Sequence, residues 1–282
     1  MSRFPCPNPF LSGLIFSGLI CSGLRTTMLG AALAEVAASF GMQHLRRSGA
    51  RALTARKRAN WLHEGACTVL KRIGMEVVAD GDPPLQGLVV SNHLSYLDVL
   101  AYASISPCLF VAKQEVRTWP VFGTFATMAG TIYVDRERAT ANGGAAVLME
   151  EALAAGVPVV LFPEGTSSDG RTTLHFHSRF FEPAVRADAM VTAAAIGYAS
   201  STTEEATIAY HGEDVFGPHL MRTLGQRHLE ARVAFAETGR HYADRKQAAR
   251  ETQAEVESLR SAVAVQPATK ASMDPLRLTL AG

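Results

Sequence analysis

The chain has 282 residues, of which 48% are hydrophobic and 19% charged, and its formal net charge is +1. A mean hydropathy of +0.08 is apolar for a soluble protein, yet it excludes a polytopic membrane protein, and the balanced charge excludes a global nucleic-acid footprint. Four scattered cysteines (Cys6, Cys21, Cys67, Cys108) include no C-x-x-C pair and no zinc spacing with histidine, which fits free thiols in a reducing compartment. His175 and His177, two apart and without a nearby cysteine or carboxylate cluster, give no reason to expect a metal.

Residues 9–24 are almost all apolar or small and carry the repeat Ser12-Gly13-Leu14-Ile15, Ser17-Gly18-Leu19-Ile20, Ser22-Gly23-Leu24. A period of five keeps no single helical face, so the segment is apolar all round. It reaches about 24 Å as a helix, short of a hydrocarbon core of roughly 30 Å. A cleaved signal peptide, a marginal span and an interfacial anchor all fit; the missing small-x-small cleavage site and the short reach favour the anchor. Arg46, Arg47, Arg51, Arg56, Lys57 and Arg58 follow, with no acid between Gln43 and Asn60. Such a cluster attracts anionic lipid at about 1 kcal/mol per charge and marks the cytoplasmic side. A plain solvated helix face is the competing reading.

Helical spacing predicts a helix over residues 61–73, stopped by Gly74. Strands are expected at 75–78, 87–91, 109–112, 130–136, 157–162, 190–198, 206–210 and 229–236. Helices are expected at 97–103, 139–155, 217–224 and 242–259. From Val263 the periodicity fades into a tail. Strands alternating with helices predict an α/β sandwich, a mostly parallel sheet flanked by helices, with an N-terminal membrane-associating helical segment. The expected divisions are 1–60 for that segment, 61–262 for the main domain and 263–282 for a disordered tail.

Polar clusters end three of the apolar runs: Asn92-His93 with Asp98, Asp135-Arg136, and Glu164-Gly165-Thr166. In a parallel sheet such ends share one edge, where ligands bind. Five residues on one helix would set His93 and Asp98 about 140° apart. The pair can meet only with His93 on a turn and Asp98 in the first helical turn, which is the geometry of a base and its orienter. Ser95-x-x-Asp98 also reads as a capping box, with Asp98 merely satisfying the helix start. Arg136 suits a phosphate or carboxylate, or a local salt bridge. The Glu164 turn suits a polar ligand, or a simple tight turn capped by Thr166. No G-x-S-x-G elbow and no G-x-x-x-x-G-K loop occur, which removes serine-hydrolase and P-loop readings.

Asn92-His93-x-x-x-x-Asp98 resembles the N-H-x-x-x-x-D block of the phospholipid/glycerol acyltransferases, the 1-acyl-sn-glycerol-3-phosphate acyltransferase-like family. Lys113, Glu115, Pro120, Phe122-Gly123 and residues 130–136 resemble its second block, Phe162-Pro163-Glu164-Gly165-Thr166 its third, and residues 190–198 its apolar fourth. The resemblance runs from about Trp61 to Glu237. It implies acyl transfer from acyl-CoA or acyl carrier protein, as co-substrate and with no cofactor or metal, to the hydroxyl of a lysophospholipid, with phosphatidic acid as the product. It implies His93 as general base and Asp98 as its orienter, with Asn92, Arg136, Glu164, Gly165 and Thr166 at the acceptor. Lipid substrates imply a membrane surface as partner, at its cytoplasmic face, and no nucleic acid. One departure stands out. The third block usually continues Gly-Thr-Arg-Ser, with that arginine on the acceptor phosphate, whereas here Ser167-Ser168-Asp169-Gly170 follows. Either Arg136 or Arg171 takes that role, or the acceptor is another lysolipid. The Ser-Ser-Asp-Gly form resembles the branch with lyso-ornithine lipid acyltransferases. A non-catalytic lipid-binding protein is a more distant alternative, disfavoured by the intact His93 and Asp98.

Overall fold

The computed structural model describes residues 2–4, 18–45, 54–135, 143–201, 203–226 and 228–263. Long apolar runs rich in Val, Ile and Ala form strands buried on both faces, as parallel strands must be. The strands are β1 (Ser2–Phe4), β2 (Met75–Asp80), β3 (Leu88–Ser91), β4 (Leu109–Lys113), β5 (Ile132–Val134), β6 (Val159–Leu161), β7 (Val191–Ala199) and β8 (Leu229–Phe235). Their order in the sheet is β1-β2-β8-β7-β3-β6-β4-β5. The block β7-β3-β6-β4-β5 is parallel throughout, and β8 turns antiparallel to β7 while pairing parallel with β2. The chain is therefore an α/β protein with a mostly parallel sheet. The C-terminal ends of β3, β4, β5, β6 and β7 share one edge.

Helices cover both faces. On one lie α1 (Gly18–Leu45), α2 (Ala55–Ile73) and α3 (Leu97–Ile105), packed on Val77, Val89, Phe110, Ile196 and Val233. On the other lie α5 (Gly143–Ala154), α6 (Glu182–Arg186) and α9 (Arg245–Val263), packed on Val90, Val159, Leu161 and Val191. The shorter helices α4 (Phe122–Met128), α7 (Glu205–Ile208) and α8 (Phe216–Leu224) border the sheet's functional edge.

The second helix begins at Ala55 and runs through residue 61, so it straddles the expected division at 60. Its buried stripe (Trp61, Ala66, Val69, Leu70, Ile73) follows helical periodicity, each large side chain contributing roughly 1.5–3 kcal/mol of burial. It ends at Gly74, whose φ of 67° needs a residue without a Cβ clash. The Trp61 indole donates to Val36 O at 3.2 Å and to Ser39 Oγ at 3.0 Å, which ties α1 to α2. At its start α1 is fixed by Ser22 Oγ donating to Met221 O (2.9 Å) and Arg25 donating to Leu224 O (3.1 Å) and Gln226 O. A cation on the terminal carbonyls of α8 suits the helix dipole.

Two described members of the basic run are structural. Arg58 donates to Thr127 O (3.0 Å) and Met128 O (2.9 Å), and Arg56 donates to Gly156 O (2.7 Å). Arg46, Arg47 and Arg51 lie outside the described residues, as does most of the repeat segment. Among the described residues no helix is long and apolar enough to cross a membrane.

Residues 206–210 are not a strand. They form helix α7 and a turn, because Glu205 opens a helical turn and the exposed backbone groups pair with loops: Tyr210 N donates to Leu94 O at 2.8 Å. Val263 is the buried last residue of α9 rather than the start of the tail; residues 264–282 lie outside the described set.

Candidate active site

The end of β3 delivers Asn92 and His93 into a turn, and α3 begins at Leu97 with Asp98 in its first turn. The two side chains meet there: His93 Nδ1 lies 2.7 Å from Asp98 Oδ2. Asp98 is fully buried, yet its charge is well served. Oδ2 also accepts from Leu94 N (2.7 Å) and Ser95 N (3.1 Å), and Oδ1 accepts from Tyr198 OH (2.5 Å). The capping contact with Ser95 and the contact with His93 thus coexist on one carboxylate. A buried anion is tolerated only with such a donor set. With Asp98 as acceptor, the proton sits on Nδ1 and the lone pair on Nε2.

The imidazole is 22% exposed and lies flat on Phe162, with ring centroids 4.3 Å apart and planes at 15°. Phe162 follows β6, so the second strand end fixes the ring delivered by the first. The turn after β6 closes on the same place: Gly165 N donates to Phe162 O (3.1 Å) with φ at 71°, and Ser168 N donates to His93 O (2.9 Å). Ser167 Oγ donates to Tyr210 O, which joins this turn to the segment before α8.

His93 lines a cleft of about 370 Å³ that runs away from it between the sheet edge and the helices. Its walls are apolar: Leu33 and Val36 from α1, Trp61 and Val69 from α2, Leu100 from α3, Phe125 from α4. The lining also includes the polar side chains of Lys113, Thr166, Ser167 and Tyr210. The apolar walls suit a hydrocarbon chain and these side chains a polar group.

The remaining expected site residues divide. Gly165 and Thr166 line the cleft. Asn92 does not: it is buried, its Nδ2 donating to Ile196 O (3.0 Å) and its Oδ1 accepting from Ile196 N (2.9 Å). Its amide extends the β3–β7 ladder and, being buried, is turned to the sheet and not to the cleft. Glu164 also points inward, 4% exposed, with neither carboxylate oxygen in a hydrogen bond of normal geometry. Burial pushes its pKa up to about 8, opposed by the main chain of Leu174 and His93. It underlies the turn instead of lining the cleft. Arg136 lies outside the described residues, and Arg171, 77% exposed, is paired with Asp169. Among the described residues no group of three or more His, Cys, Asp or Glu suits a metal.

Two features were not read from the sequence. Tyr198 looked like one more core residue of β7, although a hydroxyl in an apolar strand signals a buried partner. His219, in α8, is fully buried between Tyr96 OH (3.0 Å) and Ala209 O (3.0 Å), and burial holds it below its ordinary pKa. It stiffens the aromatic wall formed with Tyr210 and Phe216.

A His–Asp pair at the strand ends of an α/β sheet, beside an apolar cleft, suits general-base chemistry on a lipid-like substrate. Residues 74–197 match the Acyltransferase family model, and with a relative 33% identical and covered over 73% of its length the chain belongs to that family. It is 33% identical over 215 residues to a lyso-ornithine lipid O-acyltransferase of Rhizobium meliloti, covering 69% of this chain and 73% of that protein. It is 32% identical over 175 residues to a 1-acyl-sn-glycerol-3-phosphate acyltransferase of Neisseria gonorrhoeae, covering 62% and 68%. The crystal structure of a 1-acyl-sn-glycerophosphate acyltransferase from Thermotoga maritima shares the fold, with a TM-score of 0.60 at 17% identity over 87% of this chain and 98% of that one.

Proposed function

We propose that the protein is a lysolipid O-acyltransferase that moves a fatty acyl group from acyl-CoA or acyl carrier protein to the free hydroxyl of 1-acyl-sn-glycerol-3-phosphate. The contact between His93 Nδ1 and Asp98 Oδ2 carries this reading. The acceptor hydroxyl gives its proton to His93 Nε2 as its oxygen attacks the thioester carbonyl. The carbon–sulfur bond then breaks, and the imidazolium returns the proton to the departing thiolate. A thioester is reactive enough that a positioned hydroxyl and a base suffice, without a protein nucleophile. Asp98 stabilises the imidazolium that forms between the two steps. The apolar cleft takes an acyl chain, and its polar lining residues Lys113 and Ser167 meet the acceptor head group. Lipid substrates place the enzyme at a membrane surface, on the cytoplasmic side where the basic flank of α2 would stay.

A second acceptor, lyso-ornithine lipid, is favoured by one observation. Ser167 occupies the place of the phosphate-reading arginine, and its hydroxyl is spent on Tyr210 O. Supplying membranes that contain the enzyme with either lysolipid and a labelled acyl-CoA separates the two. Labelled phosphatidic acid supports the first reading. Label only in ornithine lipid replaces it with the second, and label in neither removes both acceptors.

A further inference from the structure

Given His93 as the base, as proposed above, what holds its partner matters next. Three of the four donors to Asp98 are local and all meet Oδ2: His93 Nδ1, Leu94 N and Ser95 N. The fourth comes from 100 residues away, where Tyr198 OH meets Oδ1 at 2.5 Å and both groups are buried. Among the described residues Oδ1 has no other donor of normal geometry, so this contact holds the outer oxygen while the three local donors hold Oδ2. The tyrosine is itself held in register. Tyr198 N donates to Glu205 Oε1 at 2.7 Å, Glu205 pairs with Arg260 of α9, and Arg260 donates to Gly170 O at 3.0 Å. The end of β7, α7, α9 and the turn after β6 are thereby tied to the Asp98 carboxylate.

We propose that Tyr198 is a positioning residue for acyl transfer, whose hydroxyl holds Asp98 Oδ1 and so helps to keep Oδ2 aimed at His93. Burial raises the Tyr198 phenol well above its ordinary pKa, so it is a neutral donor throughout the working pH range. Titratable and charged groups facing the pair are His93, Glu164 and Tyr102 around Asp98, and Tyr96 and Glu205 around Tyr198, with Arg260 behind Glu205. The deprotonated His93–Asp98 unit carries one negative charge and the protonated unit none. With the proton on His93, Asp98 is a carboxylate in both forms, and the Tyr198 O–H dipole, its positive end toward Oδ1, favours the form without the imidazolium charge. Removing it raises the pKa of the unit.

The test is the pH dependence of kcat/KM for Tyr198→Phe in the full-length protein, alongside His93 titrated directly by nitrogen NMR. The acid limb moves up by up to about one unit, and kcat/KM at pH values below the limb falls by the same factor, up to about ten-fold, the upper range for losing a hydrogen bond to a charged group. Tyr102→Phe is the comparison: it deletes an equally buried hydroxyl that donates to Ser91 Oγ at 2.6 Å instead of to Asp98, and leaves the limb in place. A limb in Tyr198→Phe that stays with that of Tyr102→Phe, whatever the loss of rate, overturns the proposal. Should Tyr198→Phe fold poorly, 3,5-difluorotyrosine at 198 keeps the contact, strengthens the donor and moves the limb down; an unmoved limb is again decisive against it. The NMR titration separates this inference from the assignment of the base. A limb that stays still while the His93 pKa shifts removes His93 as the base and this inference with it, whereas a limb and a His93 pKa that both stay still overturn this inference alone.

Discussion

Asp98→Asn is the substitution whose outcome the site geometry specifies most fully. The amide is nearly isosteric, so packing around this fully buried position is kept. Oδ2 accepts from three donors, so the asparagine oxygen takes its place and the NH2 group faces Tyr198 OH, which lies 2.5 Å from Oδ1. The tyrosine hydroxyl can accept there, so the local network survives with one donor reversed. What is lost is the charge. The 2.7 Å contact to His93 Nδ1 becomes a neutral hydrogen bond, about half as strong as a charge-assisted one, and the imidazolium loses its counter-ion. General base catalysis contributes about 10²–10⁴-fold, so the expected fall in kcat lies in that range, roughly 3–5 kcal/mol of barrier. Unfolding free energy changes by only about 1–2 kcal/mol. The assay is transfer of labelled acyl groups from acyl-CoA to the lysolipid acceptor, with urea unfolding run in parallel. A variant keeping more than about a third of wild-type kcat would refute the role given to the pair.

Glu164→Gln tests the buried carboxyl. With its pKa raised from 4.5 to about 8, the folded state holds a proton across that window that the unfolded chain releases. Stability therefore falls as pH rises through the window, and the amide escapes this cost. The variant gains on wild type from pH 4.5 upward, by up to a few kcal/mol, and the gain levels off above pH 8; equal differences in thermal midpoint at pH 5 and pH 9 contradict this. Asn92→Ala leaves the Ile196 N–H and C=O buried without partners, so urea unfolding detects a loss of about 2–4 kcal/mol, whereas a loss below about 0.5 kcal/mol would show that the amide pairing is dispensable. Leu100→Trp narrows the apolar cleft and shifts the acyl groups transferred toward shorter chains, measured by mass spectrometry of the product; an unchanged chain profile argues that the acyl chain lies elsewhere.

Much of this site was legible in the sequence because buried parallel strands print as uninterrupted apolar runs, and their polar ends are conspicuous. Asn92-His93, Glu164-Gly165 and Asp135 all follow such runs, and the spacing of five allowed the meeting of His93 with Asp98 only in the arrangement found. Long-range partners were not legible. Asn92 bonds to Ile196, 104 positions on, and Tyr198 reaches back 100 to Asp98. Neither pairing leaves a periodic trace, so Asn92 read as a ligand residue and Tyr198 as plain core. The burial of Glu164 was not legible for a similar reason: a carboxylate after a strand looks exposed until the turn folds over it. Residues 206–210 show the limit of short apolar runs, where five residues take whichever local structure their loop partners satisfy.

The central claim is that His93 removes the proton of the acceptor hydroxyl. The most direct test is acyl transfer by His93→Ala against wild type, in membranes with matched amounts of protein. The account predicts labelled product from wild type only, with the variant folded and at least about 10²-fold slower. Product formed by the variant at a rate within a few-fold of wild type would contradict it.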